Sequence, residues 1–81
     1  MIKIYTVPNC DKCRFAKKIL DEYKVEYEEI NLRLKENREA RDYYRSLGIK
    51  TAPVIVDGDW VITEYDEKAL REHLDEPKTN S

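Results

Sequence analysis

Apolar and polar positions along the chain follow two periods, and the switches between them lay out its elements. Ile2, Ile4, Tyr5 and Thr6, broken only by Lys3, read as a short strand over Met1–Thr6. Pro8-Asn9 is a turn signal. From Cys10 the period becomes helical: Phe15, Ala16, Ile19, Leu20 and Tyr23 make one apolar stripe, with Lys17, Lys18, Asp21 and Glu22 opposite. This predicts a helix ending near Lys24. Val25–Leu32 alternates again, with Val25, Tyr27, Ile30 and Leu32 inward, and predicts a second strand. A helix between two such strands makes them parallel neighbours through a right-handed crossover. Over Leu34–Leu47, Ala40, Tyr43, Tyr44 and Leu47 recur at helical spacing, and Gly48 stands where a helix stop belongs. Val54-Ile55-Val56 predicts a strand, Asp57-Gly58 a hairpin, and Trp60–Thr63 the returning strand. Asp66 suits the N-cap of a last helix carrying Ala69, Leu70 and Leu74.

The order β-α-β-α-β-β-α predicts an α/β fold: one mixed four-stranded sheet with helices on its faces. Residues 1–75 make one domain, and 76–81 form a polar tail. With 81 residues the core must be thin. Hydrophobic residues make up 41% and charged residues 40%, which is too apolar for a disordered chain. The net charge of −2 gives a nucleic-acid partner no electrostatic support. No apolar run approaches the roughly 20 residues of a membrane span, and no secretory signal is visible. A monomer in a reducing cytoplasm is the expectation.

Two cysteines, spaced Cys10-x-x-Cys13, are the most informative feature. A structural cross-link is one reading, but closing so short a loop removes little unfolded-chain entropy. A metal site is another, but structural zinc takes four ligands, and only His73, on a distant helix, joins the two thiols. Two unrelated buried thiols would leave the preceding turn and the following helix unexplained. Redox chemistry fits the local physics better. Only a thiolate attacks a disulfide, and a helix N-terminus favours one. Cys10 stands at the predicted helix start, and Cys13 one turn further in. Lys12 and Arg14 add positive charge beside the pair, while Asp11 opposes it. A Cys-x-x-Cys between a first strand and a first helix reads as a thiol–disulfide exchange site. Pro53, opening a strand after a loop, suits a cis bond whose preceding backbone meets an extended substrate beside the sulfur.

Tyr5-Thr6-Val7-Pro8-Asn9-Cys10-Asp11-Lys12-Cys13, then Thr51-Ala52-Pro53-Val54, then Asp57-Gly58, resemble the glutaredoxins. They resemble especially the short glutaredoxin-like redoxins that donate electrons to ribonucleotide reductase. The resemblance implies a minimal thioredoxin fold and an oxidoreductase acting on protein disulfides. It implies Cys10 as attacking thiol and Cys13 as resolving thiol. It also implies a cis Pro53 after Thr51 and Ala52 whose backbone receives the substrate, with Tyr65 at the site rim. No metal or organic cofactor is implied beyond the redox-active cysteine pair. Thioredoxin reductase or glutathione would supply electrons. Three departures bear on that choice: Asp11-Lys12 replaces the common Pro-Tyr, Val7 replaces a glutathione-binding Lys, and Thr63-Glu64 replaces a Gly-Gly pair. Two other functions stay open. One is an iron–sulfur scaffold with Cys10 from two chains on a cluster. The other is a redox-regulatory interaction protein, whose arsenate-reductase-like branch shares the Cys-x-x-Cys and the following Arg, here Arg14, but has longer chains.

Overall fold

The computed structural model describes residues 1–75, so the expected tail 76–81 lies outside the described residues. Four strands, β1 (Ile2–Thr6), β2 (Tyr27–Asn31), β3 (Val54–Asp57) and β4 (Trp60–Ile62), form one sheet in the order β2-β1-β3-β4. β1 pairs parallel with β2, Ile4 opposite Glu29, and antiparallel with β3, Ile4 opposite Ile55. β3 and β4 close a hairpin in which Asp57 faces Trp60. Three helices, α1 (Asp11–Glu22), α2 (Arg38–Ser46) and α3 (Glu67–Asp75), cover the sheet. The architecture is the mixed four-stranded α/β sheet that the sequence pattern predicts.

Side-chain alternation divides the core into two. Ile2, Ile4 and Ile55 face Ala16, Ile19 and Leu20 of α1 and Leu70 of α3. Val54, with Tyr5 and Val56 against it, faces Tyr44 of α2 and Leu32. α1 is closed by a Schellman arrangement: Val25 N–H donates to Leu20 O at 3.3 Å and Lys24 N–H to Asp21 O at 3.0 Å. Lys24 holds φ +55° there, a position glycine usually fills.

Several expectations are corrected by the structure. Leu34–Leu47 is not one helix but a 3₁₀ turn, Lys35–Asn37, followed by α2. Asn37 breaks the run: its backbone leaves helical geometry at φ −104°, ψ 24°, and its amide donates to Asn31 O at 2.9 Å. Tyr43 and Leu47, expected inward, are exposed, and of that stripe only Tyr44 is buried. Phe15 is exposed as well, because it lies about 100° around α1 from Ala16, at the edge of the buried line. The hairpin loop is Gly58-Asp59, one residue later than expected, with Gly58 taking φ +62° at its first position. Thr63 lies beyond β4. His73, on α3 and away from the cysteines, packs on the hairpin: its ring stacks on Trp60, centroids 3.8 Å apart, and its Nε2 meets Asp57 Oδ2 at 2.7 Å. Asp66 caps α3 as expected, accepting from Ala69 N–H at 3.0 Å.

Candidate functional site

The end of β1 and the start of α1 are joined by a tight reversal. Asn9 takes φ +57°, a left-handed conformation that Asn tolerates better than most side chains. The chain then enters α1 with Cys10 in the N-cap position, extended at φ −119° and ψ 104°. An N-cap side chain ordinarily offers oxygen to the free N–H groups of the first turn. Here the acceptor is sulfur: Cys13 N–H donates to Cys10 Sγ at 3.1 Å. The same N–H and the helix dipole favour negative charge on that atom. Cys10 is half-exposed and Cys13 is buried, 1% exposed. The two are disulfide-bonded, with Cα atoms 5.2 Å apart.

The second half of the site is the loop into β3. The Ala52–Pro53 peptide bond is cis, and Ala52 O lies 4.0 Å from Cys10 Sγ. Pro53 is fully buried. Thr51 anchors the loop from both sides. Its Oγ1 donates to Thr63 O at 2.6 Å, and its carbonyl accepts from Tyr44 Oη. The loop is therefore tied to the end of β4 and to α2, which holds the Ala52 backbone beside the sulfur. Tyr44 is the residue the sequence pattern undervalued. It reads there as helix packing, yet a buried phenol needs a hydrogen-bond partner, and that partner lies next to the site.

The flanking charges are arranged more simply than the sequence suggests. Asp11 and Arg14 pair with one another across the first turn of α1 on the solvent face. Their contributions at Cys10 largely cancel, which leaves the exposed Lys12 as the uncompensated charge of the group. Tyr65 stacks obliquely on Phe15, centroids 6.2 Å apart, on the α1–α3 side. Burial raises its phenol above the ordinary value, with Glu67 adding to the shift. Among the described residues, no three His, Cys, Asp or Glu side chains gather where a metal ion could sit. No helix among them is long and apolar enough to cross a membrane.

The glutaredoxin family model matches residues 2–61. The chain belongs to the glutaredoxin family. The glutaredoxin-like protein NrdH of Lactococcus lactis is 31% identical over 65 residues, which is 80% of this chain and 88% of that one. The solved NrdH-redoxin of Escherichia coli superposes with a TM-score of 0.80, covering 96% of this chain and 97% of that one at 24% identity. A glutaredoxin from Brucella melitensis superposes at 0.64 with 30% identity, covering 89% and 78%. This glutaredoxin is a thiol–disulfide oxidoreductase, with the thioredoxin fold and an NrdH-like frame.

Tyr44 gives a measurable handle on the loop. Burial raises its phenol above the ordinary value, and burial does the same to Tyr27, with Asp21 adding to it. A raised value in the folded state means the folded protein holds these protons more tightly than the unfolded chain. Stability is then unaffected below about pH 10, the ordinary tyrosine value, and falls as pH rises through the folded values. Tyr44→Phe leaves the Thr51 carbonyl without its donor and is expected to cost about 1 kcal/mol at neutral pH. It should also make the alkaline decline shallower. Urea midpoints from neutral to alkaline pH test both, and an unchanged alkaline slope would remove Tyr44 from the account.

Proposed function

We propose that this glutaredoxin reduces protein disulfides by dithiol exchange, with Cys10 as the attacking thiol and Cys13 as the resolving thiol. We also propose that it takes its electrons from thioredoxin reductase in the cytoplasm and passes them to ribonucleotide reductase among its recipients. The observation that carries the reading is the position of Cys10 Sγ. It is half-exposed at the N-terminus of α1, accepts an N–H at 3.1 Å, and lies 4.0 Å from a backbone carbonyl of the anchored loop.

The chemistry balances as a two-electron exchange. The reduced Cys10 thiolate attacks one sulfur of the substrate disulfide. That bond breaks, and the departing sulfur takes a proton. The Cys13 thiol, losing its own proton, attacks Cys10 Sγ and releases the second substrate sulfur, which takes up the second proton. The substrate gains two electrons and two protons, and the Cys10–Cys13 bond holds the oxidised equivalent. Burial of Cys13 directly beneath Cys10 suits the second step, because it shields the resolving sulfur from other partners. Thr51 and Ala52 would offer backbone to the extended substrate, Pro53 would shape that edge, and Tyr65 would stand on its rim. The Cys10–Cys13 pair needs no further cofactor for this cycle.

The choice of reductant rests on the segment between β4 and α3, where the exposed Glu64 would repel a glutathione carboxylate. The thioredoxin-like activity profile ascribed to the Escherichia coli NrdH-redoxin supports the same direction. Following NADPH consumption with thioredoxin reductase, and separately with glutathione plus glutathione reductase, tests it. Turnover is expected in the first assay and only background in the second. Turnover confined to the glutathione assay would overturn the assignment of the reductant.

A further inference from the structure

On the α2 side of the loop, a groove of about 490 Å³ runs away from Ala52. Its floor is apolar, with Val7 and Ile49 among the side chains that form it. Arg33, Arg41, Arg45 and Lys50 stand around it, and no acidic side chain lines it among the described residues. None of these four cations is in an ion pair among the described residues. The Arg41 Nε is buried there without a hydrogen-bond partner among the described residues, although buried N–H donors are nearly always satisfied. The chain as a whole has a net charge of −2, so this concentration of positive charge is local rather than a product of composition. The cations come from three separate parts of the chain: the segment after β2, α2, and the loop before β3.

The groove is continuous with the exchange site. Ala52 belongs to its lining and also lies 4.0 Å from Cys10 Sγ through its carbonyl. A peptide joined to Cys10 and laid along that backbone therefore has residues close to its cysteine entering the groove. There the apolar floor would take aliphatic portions and the rim would attract carboxylates. We propose that the protein substrates of this enzyme carry Asp or Glu close to the cysteine that Cys10 attacks, and that Arg33, Arg41, Arg45 and Lys50 select them. The inference rests on the exchange reading above and names its substrate class. Rim charges chiefly steer encounter and lose their effect in salt.

The test uses the pre-reduced protein, without a reductase, so that no other docking surface enters. Three synthetic peptide disulfides, identical except for Glu, Gln or Lys beside the cysteines, are reacted, acid-quenched and read by mass. At about 20 mM salt the Glu peptide is expected to react about tenfold faster than the Lys peptide, and at about 0.5 M salt the difference should collapse. The exposed set R33Q/R45Q/K50Q should remove the preference, bringing the Glu peptide's rate down towards that of the Gln peptide. Equal rates for Glu and Lys peptides, or a preference that survives in the triple variant, would overturn the groove assignment and leave the exchange reading standing. An equal loss towards glutathione disulfide would also overturn it, since the cations would then be serving a small anionic thiol. Failure of all three peptides, Gln included, would instead remove the exchange reading itself.

Discussion

Cys10→Ser is expected to lower protein-disulfide reduction by at least about a thousandfold, equivalent to about 4 kcal/mol of barrier. The nucleophile must be a thiolate, and a serine hydroxyl is not ionised at neutral pH, even where an N–H at 3.1 Å favours charge on that atom. The fold should survive, because serine is among the better N-cap residues and can accept the Cys13 N–H in place of sulfur. The loss can therefore be read as chemistry, and matching urea midpoints of the reduced wild type and the variant would establish it. Cys13→Ser should behave differently. The first attack remains and the release step is lost, so the protein should accumulate as a mixed disulfide whose mass equals enzyme plus one substrate. Full reductase activity in the Cys10→Ser protein would sink the scheme. Trapping by Cys10→Ser but not by Cys13→Ser would reverse the two roles.

The elements were legible because apolar spacing and turn chemistry agree almost everywhere. Gly48 ends α2 at φ +76° and Asp66 caps α3, each at the position the sequence pattern predicts. The cysteine pair was legible for a similar reason, since the turn before it and the helix after it are both local. What the pattern could not show depends on contacts between distant residues. Asn37 looks compatible with a helix until Asn31 O is placed beside its amide. Lys24 carries no sign that it will take a left-handed conformation, because the usual signal there is glycine. His73 becomes a partner of Asp57 and Trp60 only when α3 folds back over the hairpin. The Tyr44–Thr51 tie has the same character: neither residue is distinctive, and the contact appears only when α2 packs against the β3 loop. The cationic groove was hidden by balance, for its four residues sit on separate segments that also carry Glu36, Glu39 and Asp42.

Leu70→Ala is expected to destabilise the oxidised protein by about 2–5 kcal/mol, a large part of the roughly 5–15 kcal/mol that holds a domain together. Leu70 is the only fully buried residue of α3, and it seats that helix against Ile4, Leu20 and Ile55. The charged tie from α3 to α1 is weaker. Arg71 reaches Glu22 at 3.1 Å, but these side chains are 39% and 48% exposed. Exposed pairs contribute about 0–1 kcal/mol, so Glu22→Gln should scarcely move the urea midpoint. Leu70→Met keeps the volume and should cost less than about 1.5 kcal/mol. A Leu70→Ala cost below about 1 kcal/mol would show that α3 is held by its polar edge instead. A smaller m-value would show that α3 has already left the sheet in the folded state. α1 carries Cys10 at its far end and packs on the same core. Exchange per folded molecule should therefore stay close to wild type well below the melting midpoint and fail together with the fold, which separates this loss from that of Cys10→Ser.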